Sequence, residues 1–474
     1  MEKLKVSSDG KHLSTEQGDP FFYLADTNWT MPQRLKWDDA IYLMQMRKSQ
    51  GFTATQIVAL DPERDELMRD PSGNQALLGG NLESPNEKYF QYLDALIEAA
   101  EKIGLYVLLL PVWGQLVVGE NWGGKVFPKV VTEDNSHEFG KWIGRRYAHK
   151  KNIIWCLGGD RQPIHKGIDY RNLWRKMAEG LAEGVTGVQV AWNKPSKAWS
   201  ELLITYHTCY EMETGEYSTM SYWTAEDAWI SFIALQSGHG LKTQSFNVMQ
   251  KEVQREPRKP VIDIEPAYER MPMNWPKLFP LHGDSIVRNR AYWAIFAGAA
   301  GHTYGHASVW CSISEKETNE VLEATWFQAL SHPGATQIGF ARRLAEVFEF
   351  PRWIPDQAVV GHSVCQSDCL DTHIQSVRDE MGEFILAYST TGAEIEVNLA
   401  SINGSQKIVC WLNPRTGSLV SGIETTSNHI SLTTPSEEDW VLIVTSNQSL
   451  IGQLEQEIVW YVKPEIEQMS MIWA

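Results

Sequence analysis

The sequence predicts an α/β protein, a TIM (β/α)8 barrel followed by a smaller all-β sandwich. Over the first 350 residues, short apolar or β-branched runs alternate with longer amphipathic segments. This alternation repeats eight times, which is the number of units that closes a barrel. Near Pro351 the helical period ends and short alternating stretches begin. We therefore predict a barrel domain over residues 1–350 and a sandwich domain over residues 351–474.

Eight runs are predicted to form the barrel strands. Several are apolar throughout, as expected for strands that are covered on both faces. In chain order they are Phe21–Asp26, Ala54–Leu60, Leu105–Trp113, Ile153–Asp160, Leu203–His207, Phe232–Ser237, Val261–Glu265 and Gly301–Ser308. A doubly wound open sheet would instead need a glycine-rich turn after its first strand, and residues 25–28 contain no glycine.

Amphipathic segments with the helical period lie between these strands. The first carries Trp37, Ile41 and Met44 on one stripe, and the second has a wide apolar face that ends at Gly104. Further helices are predicted over Glu133–His149, Tyr170–Glu183, Lys242–Glu256, Ser285–Ala299 and Val321–Phe350. The connection over residues 208–230 has the weakest helical pattern of the eight.

Short alternating stretches in the last part of the chain predict the sandwich strands. Turn-forming sequences such as residues 413–417 separate them. The predicted strands are Phe384–Tyr388, Ile395–Leu399, Lys407–Leu412, Ile430–Leu432 and Trp440–Thr445.

Composition limits the function classes. With 42 Lys and Arg against 59 Asp and Glu, the formal charge is −17, which argues against a nucleic-acid partner. No apolar run reaches the length of a membrane span, and residues 1–10 lack the apolar segment of a secretory signal, so we expect a cytoplasmic protein with no membrane partner. The 20 Trp residues are numerous and suit both core packing and sugar stacking.

Two acids stand out at the carboxyl ends of the strands, where TIM barrels place their active sites. Asp160 follows two glycines that let a ligand approach the backbone, and Glu265 precedes Pro266, which cannot continue a central strand. Strands 4 and 7 face each other across an eight-stranded barrel, so the two carboxylates should converge on its axis. Glycosidic cleavage requires such a pair, because one carboxyl group protonates the leaving oxygen while the other attacks or activates water. A single carboxylate at a strand end is more often a helix cap or half of a salt bridge than a catalyst, so the interpretation depends on the pair.

Polar and aromatic side chains at the other strand ends are candidate sugar contacts. Asp26 suits either a sugar hydroxyl or the cap of a helical turn, and the tryptophans on helical stripes, such as Trp174, are assigned to the core. The candidate substrate-binding residues are Asp26, Trp29, Trp113, Trp122, His207, Gln236, His239, Tyr268, His302, Tyr304 and Trp310.

His302 and His306, which share a face of strand 8, keep a metal-dependent hydrolase open as an alternative. Zinc amidohydrolases on this fold carry a His-x-His pair on strand 1, and strand 1 here has no histidine. Cys365 and Cys369 lack a second ligand pair. We therefore expect no metal and no other cofactor.

Six segments resemble the apiosidase-like family of glycoside hydrolases, family 140. They are Phe21–Trp29, Gly104–Gly114, Asn152–Asp160, Gln236–His239, Val261–Glu269 and Ala299–His306. The resemblance implies a TIM barrel followed by a collagen-binding-like β-sandwich, and hydrolysis of glycosidic bonds. It also implies that Asp160 is the acid/base and Glu265 the nucleophile.

The resemblance leaves the substrate open. The family's characterised activity releases apiose-containing units from pectic side chains, but substrates differ among members. The loop over residues 119–131 and the segment over residues 208–228 are where we expect specificity to be decided. We predict a retaining, exo-acting glycosidase with a carbohydrate substrate of plant type. A carbohydrate- or matrix-binding protein with an inert barrel is the non-enzymatic alternative.

Overall fold

The protein was analysed as a computed structural model, and the structure describes residues 1–121, 124–210, 217–240, 243–273, 280–361 and 372–462. Within these ranges no helix is both long enough and apolar enough to cross a membrane.

Eight parallel strands form the barrel and confirm the predicted fold class. In the sheet they follow the order β5-β4-β3-β2-β1-β8-β7-β6. The seam between β5 and β6 is joined by the Ser231 N–H, which donates to the Ile204 carbonyl (2.8 Å), and by the Thr205 hydroxyl, which donates to the Phe232 carbonyl (2.7 Å). The strands are β1 Tyr23–Thr27, β2 Ala54–Val58, β3 Tyr106–Leu110, β4 Ile153–Gly158, β5 Ile204–His207, β6 Ile233–Leu235, β7 Val261–Asp263 and β8 Gly301–Tyr304.

Amphipathic helices cover the outside of the barrel. In the second helix, Tyr89, Phe90 and Leu93 are buried as the apolar stripe predicts, and Gly104 ends the helix in the left-handed conformation with φ of 87°. The long helices are α1 Trp37–Ser49, α2 Glu87–Ile103, α3 Ser136–Arg146, α4 Arg171–Thr186, α5 Ser245–Val253, α6 Asp284–Phe296 and α7 Pro333–Val347. Four-residue helices span Met31–Arg34, Gln115–Val118, Lys197–Ser200 and Trp326–Ala329.

Two of the connections between strands do not contain one long helix. The helix expected over residues 321–350 is interrupted, because Pro333 at its first turn starts α7 as a separate helix after Trp326–Ala329. The connection after β5 has only the short turn Thr219–Ser221 among its described residues, as its weak pattern suggested.

The barrel has an inner and an outer apolar core, because every strand is buried on both faces. Inward-facing residues such as Ala25, Leu108 and Ile262 form one cluster, and the outward-facing residues pack against the helices in a second. A three-stranded antiparallel sheet adds Leu4 and Leu13 to the inner cluster and closes the amino-terminal end of the barrel. Its strands are Leu4–Val6, Leu13–Thr15 and Pro20–Phe21.

The second domain is an antiparallel sandwich, as predicted. A six-stranded sheet in the order β9-β10-β11-β16-β13-β14 packs against the pair β12-β15. Ile385 and Val409 of the large sheet and Ile395 and Val397 of the pair share one core. The strands are β9 Trp353–Pro355, β10 Ile374–Asp379, β11 Phe384–Ser389, β12 Glu394–Asn398, β13 Lys407–Leu412, β14 Leu419–Thr425, β15 His429–Thr433 and β16 Trp440–Thr445, and helix α8 spans Gln448–Val462.

Buried polar groups and stacked rings join the two domains. Asp439 of the sandwich accepts hydrogen bonds from Arg288 of α6 at 2.7 and 2.8 Å, and from Tyr388 at 2.9 Å. Arg415 pairs with the same carboxylate at 2.7 Å. Tyr388 also stacks on Tyr292 of α6, with ring centroids 4.5 Å apart. The sandwich is therefore packed on the barrel.

Candidate active site

A cavity of about 950 Å³ opens at the carboxyl ends of the barrel strands. It contains both carboxylates singled out in the sequence, together with six of the eleven candidate sugar contacts. Its lining residues are Trp29, Asp61, Glu63, Trp113, Asp160, Cys209, Tyr210, Tyr217, Gln236, Gly238, His239, Gly240, Thr243, Gln244, Asn247, Val248, Glu265, Tyr268, Met271 and Trp310.

Glu265 enters the cavity from the end of β7. Its backbone is fixed by β6 and the following loop, because its carbonyl accepts from the Gly238 N–H at 3.0 Å and its N–H donates to the Leu235 carbonyl at 3.4 Å. The residue is only 7% exposed. Its carboxylate therefore meets any ligand in a largely desolvated setting.

His207 lies behind Glu265 and not in the cavity, so the prediction that it holds a sugar hydroxyl does not fit its position. Its imidazole is fully buried, with Nε2 2.8 Å from Glu265 Oε2 and Nδ1 2.7 Å from the Thr208 carbonyl. Nδ1 is also 3.5 Å from the backbone nitrogen of Asp160. One side chain thus contacts both the Glu265 carboxylate and the residue that bears the second carboxylate.

The charge of His207 follows from these contacts. Burial works against the imidazolium, but the Glu265 carboxylate, the charge of Asp160 and the Thr208 carbonyl outweigh it and raise the pKa of His207 above its ordinary value. A protonated His207 would hold the Glu265 carboxyl group in one orientation.

Asp160 follows β4 in a strained backbone. Gly158, Gly159 and Asp160 all have positive φ, at 86°, 110° and 51°. A Cβ on Gly158 would lie 2.3 Å from the His207 carbonyl, and one on Gly159 would lie 2.5 Å from the Trp113 ring. The two glycines therefore admit the protein's own Trp113 and β5 backbone, whereas the sequence suggested that a ligand approaches them.

The Asp160 carboxylate is held by neighbours at the cavity wall. Gln236 Nε2 donates to Asp160 Oδ1 at 3.0 Å, and the Arg161 guanidinium lies 3.8 Å from Oδ2. The Asp160 side chain keeps 21% of its surface exposed. Burial, followed by the nearby Asp160 carboxylate, raises the pKa of the Cys209 thiol well above its ordinary value, so Cys209 is a neutral neighbour of this acid.

His239 and Tyr268 line the cavity beside Glu265. The Tyr268 N–H donates to His239 Nδ1 at 3.3 Å, which assigns the imidazole proton to Nε2, and this nitrogen lies 3.9 Å from Glu265 Oε1. Burial, with His282 adding to it, lowers the pKa of His239 to about 3. His239 is therefore a neutral hydrogen-bond donor next to the carboxylate.

Three of the predicted tryptophans form an aromatic wall. Trp29 and Trp113 lie 5.4 Å apart between ring centroids, and Trp310 lines the cavity from the loop after β8. Trp29 and Trp113 are almost entirely buried, so only a small part of each ring reaches a ligand. Trp122 falls outside the described residues.

Asp26 and Tyr304, predicted as sugar contacts, lie in a buried network outside the cavity. Asp26 Oδ2 accepts from Arg47 Nε at 2.8 Å and from Asn28 Nδ2 at 2.9 Å, and the residue has no exposed surface. The Tyr304 hydroxyl donates to Glu269 Oε2 at 2.6 Å. Neither lines the cavity, because each is engaged by partners that join the strand ends to α1 and to the loop after β7.

His302 is also buried away from the cavity, which corrects its assignment as a sugar contact. Neither ring nitrogen has a hydrogen-bond partner among the described residues, and burial lowers its pKa to about 3. His306 faces a different partner, with Nε2 2.8 Å from His332 Nδ1. In the described part of the chain, no three His, Cys, Asp or Glu side chains converge as metal ligands.

Asp61 and Glu63 line the cavity but were absent from the sequence prediction. Both follow β2, and Asp61 comes directly after the predicted strand end at Leu60. The strand-end rule that selected Asp160 and Glu265 would have found them had it been applied to this strand.

Comparison with known proteins identifies the chain. Residues 7–352 match the apiosidase-like catalytic domain, which covers the whole barrel and both cavity carboxylates. The chain belongs to the apiosidase-like family. Residues 354–445 match a domain described as "Putative collagen-binding domain of a collagenase". No functionally curated protein matches the chain.

Solved structures agree with the family. A protein titled "Glycoside hydrolase" shares 27% identity with this apiosidase-like chain at a TM-score of 0.80, over 94% of this chain and 97% of that one. A glycoside hydrolase family 5 protein from Bacteroides vulgatus ATCC 8482 shares 26% identity at a TM-score of 0.79, over 94% and 92%. A third structure, titled "putative glycoside hydrolase" and from the same strain, shares 13% identity at a TM-score of 0.63, over 94% of this chain and 82% of that one, and supports the fold alone. The apiosidase-like chain is a glycoside hydrolase.

Proposed function

We propose that this protein is a retaining, exo-acting glycosidase for a plant-type oligosaccharide or glycoside, with Glu265 as nucleophile and Asp160 as acid/base. The observation that carries the proposal is the shared cavity, which both carboxylates enter from the ends of β7 and β4. Retaining hydrolysis needs two carboxyl groups about 5–5.5 Å apart on either side of the scissile bond.

In the first step, a Glu265 carboxylate oxygen attacks the anomeric carbon while Asp160 gives its proton to the glycosidic oxygen. The bond to the leaving group breaks, the leaving group departs as an alcohol, and the sugar stays bound to Glu265 as an ester. The neutral His239 and the aromatic wall of Trp29, Trp113 and Trp310 suit contacts with the sugar ring.

In the second step, Asp160 takes a proton from water as the water oxygen attacks the anomeric carbon. The ester bond to Glu265 breaks, the sugar leaves with its original anomeric configuration, and both side chains return to their starting protonation states. His207 contributes by holding the Glu265 carboxylate in position throughout, since their nitrogen and oxygen lie 2.8 Å apart.

The experiment is a panel of aryl glycosides that includes apiosides and arabinosides, with NMR of the anomer released first. Retention is expected. We also expect Glu265→Gln and Asp160→Ala to lose at least about 10³-fold in kcat, with azide restoring turnover in Asp160→Ala alone. Glu201→Gln, at an exposed ion pair with Lys3, is the control. Full activity in either carboxyl variant, or inversion, would contradict the proposal.

A further inference from the structure

The side chain of Gln236 joins Asp160 to the connection after β5. Gln236 follows β6 directly, and its Nε2 donates to Asp160 Oδ1 at 3.0 Å. Its Oε1 accepts the Tyr210 N–H, and its own backbone N–H donates to the Tyr217 carbonyl at 2.9 Å. Both polar atoms of the amide are therefore engaged by the protein, although Gln236 lines the cavity and was predicted as a sugar contact.

These two contacts determine which way the amide faces. A backbone N–H can only donate, so the atom that meets Tyr210 must be the amide oxygen, and the NH2 group must then face Asp160. Gln236 is 5% exposed, so water competes little for either hydrogen bond. The Asp160 carboxyl group thus meets an oriented donor at one of its two oxygens.

This donor distinguishes the two oxygens of Asp160. In a carboxylic acid, the carbonyl oxygen accepts a hydrogen bond better than the hydroxyl oxygen does. The contact with Gln236 Nε2 therefore favours the acid form in which Oδ1 is the carbonyl oxygen and Oδ2 bears the proton. Arg161 Nη1 lies 3.8 Å from Oδ2, which is too far for a hydrogen bond.

We propose that Gln236 is a positioning residue for the acid/base, which holds Asp160 so that Oδ2 is the oxygen that gives and takes the proton. This inference rests on the proposed function, and it assigns Gln236 a role other than contact with the sugar. In the first step the proton moves from Oδ2 to the glycosidic oxygen as the bond between that oxygen and the anomeric carbon breaks. In the second step Oδ2 takes a proton from the attacking water. Oδ1 keeps its hydrogen bond to Nε2 in both states, and this bond stabilises the carboxylate between the two steps.

The pH profile of the reaction is one measure of this role. Because a hydrogen bond to the ionised form favours that form, we expect the alkaline limb of kcat/KM to move up by at least about half a pH unit in Gln236→Met. The other titratable or charged groups around Asp160 are not altered by this substitution. They are Glu63 after β2, Arg161 beside Asp160, His207 and Cys209 at the end of β5, His239 after β6, and Glu265 across the cavity.

A comparison of leaving groups is the decisive test. The glycoside that the panel identifies is prepared with phenol and with 2,4-dinitrophenol as leaving group. Dinitrophenol departs without protonation, so the first step, which kcat/KM reports, needs the acid only for the phenyl glycoside. We expect Gln236→Met to lower kcat/KM at least about tenfold for the phenyl glycoside and less than about threefold for the dinitrophenyl glycoside. Asp160→Ala should show the same selectivity with a larger loss.

A matched control and a second variant accompany this test. Gln254→Met, at an exposed position directly after α5, should keep the wild-type kcat/KM for both glycosides. Gln236→Asn keeps an amide but shortens the side chain by one methylene group, so it should give the same pattern as Gln236→Met. It provides the measurement if Gln236→Met does not fold.

Two results would overturn the inference while Asp160→Ala is impaired as expected. Equal losses of kcat/KM on both glycosides would mean that Gln236 contacts the sugar or only supports the fold. An unshifted alkaline limb would mean that its amide does not act on the acid. The proposed function fails separately, if the wild type hydrolyses no glycoside or if Asp160→Ala keeps full activity, and the inference then fails with it.

Discussion

A side chain could be placed in the cavity from the sequence only where its position at a strand end is sufficient to put it there. Asp160 and Glu265 lie in the cavity because the carboxyl ends of parallel strands meet there. Asp26 and Tyr304 also end strands, but Arg47 and Glu269 engage them. These partners come from other elements at distant positions in the chain, so no local pattern shows that the two side chains are already occupied.

The ion pair between His207 and Glu265 predicts a pH-dependent contribution to stability. Because the pKa of His207 is raised in the folded protein, the stabilisation is fully present below its ordinary value of 6.5 and is lost as pH rises through the folded value. We expect His207→Gln to cost about 3–5 kcal/mol at pH 6, since it leaves a buried carboxylate unpaired. The difference in unfolding temperature between His207→Gln and the wild type should be smaller at pH 9 than at pH 6.

Calorimetry of both proteins at the two pH values checks this expectation. His137→Gln is the control, because the His137 side chain pairs with Glu138 while 32% exposed. An equal difference in unfolding temperature at both pH values would show that His207 stabilises the protein by packing and not by its charge.

Whole helices and strands were predictable where burial imposes a pattern on the sequence. The eight barrel strands were all found, because each is buried. The sandwich strands β9, β10 and β14 were missed. Strand β14 is an edge strand without a single fully buried residue, and β9 has three residues that include a proline. Without a buried face, strand β14 leaves no alternation in its sequence. Strand β10 is buried at five of its six positions, but Gln375, Ser376 and Asp379 are polar, so its sequence shows no apolar run.

In the turn after β4, we expect a single added methyl group to reduce activity strongly. In Gly159→Ala, the new Cβ would lie 2.5 Å from the Trp113 ring, at a φ of 110° that side-chain-bearing residues disfavour. We expect Trp113 to move and kcat/KM to fall at least about tenfold, because displacement of a sugar contact and of the adjacent Asp160 disturbs the reacting geometry.

Steady-state kinetics with the best glycoside of the panel and near-ultraviolet circular dichroism would follow the change. Gly187→Ala is the matched control, since Gly187 also has positive φ, at 73°, but a Cβ there would meet nothing within 4 Å. Wild-type kcat/KM in Gly159→Ala would refute the close packing of this turn against Trp113.

The molecule as a whole depends on the contact between barrel and sandwich. A change from the helical to the alternating pattern predicted two domains. It could not show that Arg288 of the barrel contacts Asp439 of the sandwich, 151 positions later in the chain. Asp439 is 5% exposed and is shared by two guanidinium groups. This arrangement makes the sandwich part of the structural support of α6, which lies between β7 and β8 in the chain.

Asp439→Asn should destabilise the protein while it preserves side-chain size. Burial works against the charged form, but Arg288, Arg415 and Tyr388 lower the pKa of Asp439, so its stabilisation is present above the ordinary value of 3.8 and is lost as pH falls through the folded value. We expect Asp439→Asn to lower the free energy of unfolding by about 3–5 kcal/mol at pH 7, and by less near pH 3.

Thermal unfolding at the two pH values measures this loss. Glu438→Gln removes the neighbouring carboxylate that is 65% exposed and pairs with the same Arg415, and it should have little effect. Equal unfolding temperatures for Asp439→Asn and Glu438→Gln would mean that the buried network does not couple the domains.

The small amino-terminal sheet also determines the side from which a ligand reaches the barrel. Leu4 and Leu13 fill the amino-terminal end of the barrel, and the Tyr106 hydroxyl donates to the Glu2 carbonyl at 2.6 Å, so this end offers no passage. A sugar that enters the cavity must leave through the same opening. The two carboxylates are therefore reached from the carboxyl ends of the strands, where the cavity opens.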